Sequence, residues 1–104
     1  SKSNRNIFHV VDEFNILEGV VLIDDVRDRM FNHELYDKIT IREIMTIPPS
    51  YIDIRERGDV VLDTFTRTGA WNLPVLDGGQ YVGFISKSRI FSAYRELLRQ
   101  VSEE

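Results

Sequence analysis

The sequence contains no cysteine. That excludes a disulfide framework and any cysteine-ligated metal site. Imidazole is nearly as scarce: His9 and His33 are the two histidines, far apart and without ligand spacing, which argues against a zinc centre. No apolar run approaches the ~20 residues of a membrane-spanning helix. The longest, Gly19 to Ile23, has the length of a strand. Positive charge is in deficit, with 13 Lys and Arg against 17 Asp and Glu and a net charge of −4. Sequence-independent nucleic-acid binding, which needs clustered Lys and Arg, is therefore not expected. A local basic spot still suffices to hold the phosphates of a nucleotide. Ser1 to Asn6 is polar and lacks a signal-peptide core, so the chain is expected to be soluble and intracellular.

Catalytic signatures are missing as well. There is no Walker-type phosphate loop, no Gly-x-Ser-x-Gly and no Ser/His/Asp set that stands out. Asp24 and Asp25 are neighbours, so on a helix they point about 100° apart and do not face each other as an acid pair. The expectation is a protein that is not an enzyme.

What the sequence does hold is enough apolar material, 42 % of 104 residues, for one small core. Such a domain is only moderately stable and leans readily on a partner. Ile7 to Val11 reads as a buried strand, Asp12 to Asn15 as a turn and Leu17 to Ile23 as its paired strand. Asp24 and Asp25 suit the start of a short helix, with Val26 and Met30 on its buried face. Residues 32–39 form a connector. Thr40-Ile41-Arg42-Glu43 has the capping-box pattern; Ile44 and Met45 continue that helix, and Pro48-Pro49 ends it. Ser50-Tyr51-Ile52 reads as a strand. A helix opens at Gly58 and Asp59, buries Val61 and Phe65, and stops at Gly69. Trp71 to Leu76 and Tyr81 to Ser86 read as strands around the hairpin turn Asp77-Gly78-Gly79-Gln80. Ser88 is the expected cap of the last helix. Ile90, Phe91, Tyr94, Leu97, Leu98 and Val101 form its apolar stripe.

Two stretches share one plan. Phe8-His9-Val10-Val11-Asp12 aligns with Leu73-Pro74-Val75-Leu76-Asp77, and Gly19-Val20-Val21-Leu22 aligns with Gly83-Phe84-Ile85-Ser86. The offset is about 65 residues, too long for the common solenoid repeats. It suits two copies of a small α/β unit.

The second copy resembles a complete CBS domain. The carrying segments are Leu73-Pro74-Val75, similar to that family's hydrophobic-Pro-Val strand; Gly83-Phe84-Ile85-Ser86-Lys87-Ser88-Arg89, similar to its Gly-x-x-Thr/Ser-x-x-Asp motif; and Thr40 to Met45, similar to its entry motif. The resemblance implies a mixed α/β (α+β) fold, a tandem pair with one complete β-α-β-β-α unit at residues 40–102. The other copy, at residues 7–31, resembles only the second half of the unit. The chain is accordingly expected to be a piece of a longer protein. Thr68 to Val75, Tyr81 to Phe91 with Tyr94-Arg95, and Val26 to Phe31 resemble the cytosolic C-terminal CBS pair of bacterial ClC chloride channels and H⁺/Cl⁻ exchangers.

CBS pairs often hold adenine nucleotides in a cleft between copies, so the resemblance implies a regulatory ligand such as ATP, ADP or AMP and no obligatory cofactor. Asp25 stands at the family's ribose-binding position in the first copy; read from the residues alone, it equally serves to start a helix. Leu22 stands where the family prefers Thr or Ser. In the second copy Ser86 is kept, but Arg89 replaces the ribose-binding Asp. An arginine accepts no hydroxyl bond; with Lys87 close in sequence, it holds phosphate or an acidic partner, or forms a solvated basic turn. Pro74 matches the motif, and His9 takes its place in the first copy as a packed strand residue. Ser50, Tyr51 and Ile52 lie on a strand that borders the cleft in the family, with Tyr51 either a stacking platform or core. Trp71 is expected in an interface or the core.

Three roles compete. One is a ligand-sensing tail on the cytoplasmic side of a membrane, attached to a transmembrane domain of the same polypeptide. Another is a structural homodimerisation module that pairs through its helices near Met30-Phe31 and Phe91-Tyr94. The last is a regulatory insert of an enzyme such as an IMP dehydrogenase.

Overall fold

The structure, a computed structural model, describes residues 7–24, 27 and 38–102. It divides into two compact units, Ser1–Pro48 and Pro49–Glu104.

The first unit is built on a hairpin. Strands β1 (Ile7–Val11) and β2 (Leu17–Leu22) pair antiparallel, from Ile7 opposite Leu22 to Val10 opposite Gly19. The register then slips between Val10 and Val11, a bulge that bends the strand. Asp12 makes the turn: its Oδ1 accepts the N–H groups of Phe14 at 2.8 Å and Ile16 at 2.9 Å. Asn15 takes a φ of 65° there, a conformation that Asn tolerates. Strand β2 ends at Leu22, and Ile23, Asp24 and Arg27 are helical. Asp25, Val26, Met30 and Phe31 lie outside the described residues.

Helix α1 (Ile41–Ile44) forms where its capping box was expected. The Glu43 carboxylate accepts both the backbone N–H and the hydroxyl of Thr40, each at 3.1 Å. The helix does not continue through Met45. That residue is extended (φ −79°, ψ 152°), and Thr46 joins the sheet beside Val20. The N–H of each donates to the carbonyl of the other at 2.8 Å. A strand contact therefore stops this helix before Pro48. It brings Thr40 to Thr46, which the repeat alignment assigns to the second copy, onto the first hairpin. Arg42 adds an ion pair to Glu18 at 2.6 Å. Gly19 is what lets the chain approach: a Cβ there would sit 2.8 Å from the Thr46 carbonyl oxygen and 3.0 Å from Met45 Sδ.

The second unit is a three-stranded sheet in the order β3-β4-β5 with two helices: β3 (Ile52–Asp53), α2 (Gly58–Thr68), β4 (Asn72–Asp77), β5 (Gln80–Ser86) and α3 (Lys87–Ser102). β3 runs parallel to β4, and α2 supplies the crossover that a parallel pair requires. Ile52, Val61, Phe65 and Leu73 form the core, with Phe65 and Leu73 fully buried. The one buried polar side chain of the core region, Thr64, is satisfied along its own helix, its hydroxyl donating to the Val60 carbonyl at 3.0 Å. Gly69 ends α2 in the left-handed conformation (φ 70°), its N–H donating to the Phe65 carbonyl at 3.0 Å.

β4 and β5 join through Gly78 and Gly79, with φ 58° and 88°, as a two-residue turn matched to the strand twist requires. Pro74 occupies a central strand, where its missing N–H would normally break a ladder. Here β3 pairs only with Val75 and Leu76, so no ladder on that side reaches Pro74. The cap of α3 is Ser86 rather than Ser88: Ser86 Oγ accepts the Arg89 N–H at 3.2 Å, and the helix begins at Lys87. The apolar stripe of α3 is only partly covered. Ile90 and Phe91 pack against the core, whereas Tyr94, Leu97, Leu98 and Val101 are exposed.

Gly19→Ala should lower stability by about 1–3 kcal/mol, because a backbone carbonyl must give way. Urea unfolding reads this, and an unchanged midpoint would show that the Thr46 segment is not held against β2. A second expectation concerns His9, half-buried on β1 opposite Val20. Burial lowers its pKa below the ordinary imidazole value, so the folded state prefers the neutral ring. The unfolded chain then binds the proton first as pH falls. Stability is whole above the ordinary value of about 6.5 and declines as pH drops through it toward the lower folded value. The melting temperature should fall over that window, and His9→Gln should remove that part of the fall. Identical profiles for the two proteins would refute it.

Candidate functional site

The site is built where β5 runs into α3. Along β5, Phe84 and Ser86 are two residues apart and share a face, and Val82 is the extra residue of the bulge opposite Val75 and Leu76. Val82 and Phe84 are exposed, Phe84 by 53 %. Together with Val75, Ile85 and Arg89 these residues line an open hollow of about 570 Å³. Apolar side chains make up most of its lining, and Ser86 and Arg89 are the residues there with polar side chains. Ser86 Oγ holds the Arg89 backbone as the helix cap and lies 3.4 Å from Ser88 Oγ.

The charge of Arg89 is unusual in this chain. Arg27, Arg42, Arg55, Arg57, Arg67 and Arg99 each pair with a carboxylate. Arg95 donates to Ser92 Oγ. Among the described residues, the Arg89 guanidinium makes no ion pair. The described carboxylates of the unit's sheet and of the start of α2 are engaged elsewhere. Asp77 and Asp53 both bind Arg55, at 2.6 and 3.3 Å, and Asp59 binds Arg57 at 2.7 Å. The hydrogen bond from Arg57 holds the Asp59 carboxyl below its usual range. No carboxylate lines the hollow.

The other expected residues fall differently. Ser50 is half-buried just ahead of β3, and Tyr51 is 60 % exposed, so Tyr51 is not core. Ile52 and Pro74 are buried, and their side chains serve packing. Neither Ser50, Tyr51 nor Ile52 lines the hollow. Lys87 is not part of a solvated basic turn. Its ammonium lies over the Trp71 ring, 5.1 Å from the centroid, and 5.9 Å from that of Phe91. Its N–H donates to the Trp71 carbonyl at 2.8 Å. Trp71 is 63 % exposed beneath this cation and not a core residue. Asp25 lies outside the described residues. Sequence reasoning passed over Val82 and Phe84 as lining residues; alternation along β5 places Phe84 on the face of Ser86, whereas Val82 is the residue of the bulge and no local pattern announces it.

A second hollow, of about 390 Å³, runs between α2 and α3 past Asp59, Leu62, Ile90, Ala93, Tyr94 and Leu97. Among the described residues no group of three or more His, Asp or Glu side chains is placed to hold a metal ion. No helix among them is long and apolar enough to cross a membrane. The arrangement at β5 and α3 suits an anion attached to an apolar body.

Comparison with known proteins agrees on the fold. No curated protein matches the sequence. OpuCA of Staphylococcus aureus superposes with a TM-score of 0.71 at 22 % identity over 88 % of this chain and 75 % of that one. CBSX2, solved in complex with AMP, gives 0.69 at 20 % identity over 88 % and 73 %. The CBS domain pair of MJ0100, solved with 5′-methylthioadenosine and S-adenosyl-L-methionine, gives 0.64 at 27 % identity over 86 % and 72 %. The sequence profile of the CBS domain matches residues 41–96, more than half of the chain, and this protein therefore belongs to the CBS domain family.

Proposed function

We propose that this chain is a regulatory module that binds an adenine nucleotide and is not itself an enzyme. The observation that carries the reading is the hollow at Gly83-x-x-Ser86-x-x-Arg89, with its apolar floor, one hydroxyl and one guanidinium without an ion pair. AMP, 5′-methylthioadenosine and S-adenosyl-L-methionine, the ligands of two proteins with this fold, all contain adenosine. Apolar side chains suit an adenine ring, and charge-assisted donors suit phosphate. Asp25 is the acceptor proposed for ribose hydroxyls in the first copy, and Lys87, clasped by Trp71, is the cation beside the hollow. Regulation needs a ligand that distinguishes two states of the larger protein.

The finer assignment is to the cytosolic tail of a ClC-type chloride transport protein. It is supported by the strings Thr68 to Val75 and Tyr81 to Phe91, and it requires a gene that encodes membrane-spanning helices ahead of this segment. In that setting the module lies on the cytoplasmic side of the membrane and works on the transmembrane domain of its own polypeptide.

Titration calorimetry of ATP, ADP and AMP into the 104-residue chain tests the ligand. Binding is expected, and Asp25→Ala should weaken it about tenfold or more, the size of a lost charge-assisted bond. No heat and no thermal stabilisation with any of the three would overturn the nucleotide reading.

A second reading is favoured by one observation, the exposed stripe Tyr94, Leu97, Leu98 and Val101 on α3. It makes the chain a homodimerisation module, with or without ligand. Sedimentation at high concentration should then show a dimer that Leu98→Glu splits, and a monomeric wild type would sink it.

A further inference from the structure

We infer that the hollow at β5 and α3 selects its ligand by the phosphate end and not by the ribose, so that affinity climbs with the number of phosphates. This rests on the reading that the hollow is a nucleotide site. Three observations carry it. First, among the described residues no carboxylate lines the hollow. A ribose diol that donates two bonds needs acceptors, and Ser86, with one lone pair already taken by the Arg89 N–H at 3.2 Å, is the one side-chain acceptor among the described lining residues. Second, six arginines pair with carboxylates, whereas the Arg89 guanidinium has no ion pair among the described residues. The charge facing the hollow is therefore not neutralised, in a chain whose net charge is −4. Third, the carboxylates nearest in sequence on the same sheet, Asp53 and Asp77, are both held by Arg55.

Physically, a guanidinium presents a fork of donors that matches two phosphate oxygens at once. It offers nothing to a hydroxyl that must donate. Each added phosphate raises the charge it attracts, whereas within this hollow adenosine gains the contact of its base with Val75, Val82 and Phe84 and no charge–charge attraction; the ribose acceptor proposed at Asp25 belongs to the first copy and contributes alike to adenosine and ATP. The cap bond from Ser86 fixes the backbone from which the Arg89 side chain extends, so only its own torsions are lost on binding.

The test is calorimetry on the 104-residue chain with adenosine, AMP, ADP, ATP and inorganic tripolyphosphate, repeated with Arg89→Ala, Arg89→Lys and Arg89→Asp. Circular dichroism confirms the fold of each variant; the position is exposed. In wild type, ATP should bind about tenfold or more tighter than adenosine, and tripolyphosphate more weakly than ATP. Arg89→Ala should bring ATP close to adenosine while leaving adenosine unchanged. Arg89→Lys should keep part of the order, and Arg89→Asp should reverse it. Equal affinities for adenosine and ATP, or an order that survives Arg89→Ala, would overturn the inference and leave the nucleotide reading standing. Binding of tripolyphosphate as tight as ATP would overturn the part given to the apolar floor. Silence with every nucleoside and nucleotide would remove both.

Discussion

The contact of Phe65 with the sheet at Leu73 is the constraint on which the second unit depends. Neither side chain retains exposed surface, and each contributes on the order of 2–3 kcal/mol by leaving water. Their burial sets α2 against β4. Strand β4 in turn carries β3 on one edge and β5 on the other. Because β5 passes directly into α3, the place where Ser86 caps the helix and Arg89 emerges follows from the register of β5 on β4. The candidate site is thus a consequence of the core, one strand removed from it. Val75 and Ile85 of its lining pack against that core, whereas Val82, Phe84 and Arg89 are exposed and contribute little to holding the fold.

The two hairpins show how one plan serves two surroundings. The bulge between Val10 and Val11 recurs between Val75 and Leu76, at the same place in the repeat. Val10 faces Gly19, and Val75 faces Gly83. Beyond the glycine the copies diverge. Val20 is buried beneath the Thr46 contact, while its counterpart Phe84 stays largely exposed. Gly19 has a backbone carbonyl close to the position a Cβ would take, and Gly83 has no atom within 4 Å of it among those described. The glycine that admits a neighbouring chain in one unit borders the hollow in the other. Register is conserved by the pleat and the bulge, whereas what covers the resulting face is a matter of tertiary structure.

That division explains what could be read from residues alone. Periodicity and turn chemistry placed the strands of both hairpins, the Gly78-Gly79 turn, α2 with its Gly69 stop, and the stripe of α3, within a residue or two. Each is a local pattern. The misreadings were set by partners distant in sequence. Met45 leaves its helix because Thr46 finds Val20. Ser86 takes the cap because β5 delivers it to the helix start, so the nearer-looking Ser88 is already inside the first turn. Of the two places expected for Trp71, interface or core, the core is ruled out, because it lies exposed under Lys87. At the site, Ser86 and Arg89 were legible as a motif. The apolar floor was not, because Val82 and Phe84 carry no chemistry of their own and acquire a role only when the sheet leaves their face uncovered.

The distribution of charge supplies the remaining step. Exposed ion pairs contribute little to stability, commonly under about 1 kcal/mol each, so the pairs of Arg55, Arg57 and Arg67 do not hold this fold together. Their effect is on the field around it. An acidic chain repels anions at long range, and a phosphate ligand must be recognised against that background. Pairing Asp53, Asp59, Asp63 and Asp77 with arginines removes most of the repulsion at short range. It leaves Arg89 in the lining of the hollow without an ion pair among the described residues, with Lys87 close by over the Trp71 ring and likewise without a carboxylate. Apolar walls lower the local dielectric and strengthen whatever attraction remains. One solvated guanidinium so placed attracts more than its share of a negative net charge would suggest. On the proposed nucleotide reading the overall acidity would work as a filter: a ligand would have to bring an apolar body to the hollow along with its phosphates, because charge alone meets a chain whose net charge, −4, is of its own sign.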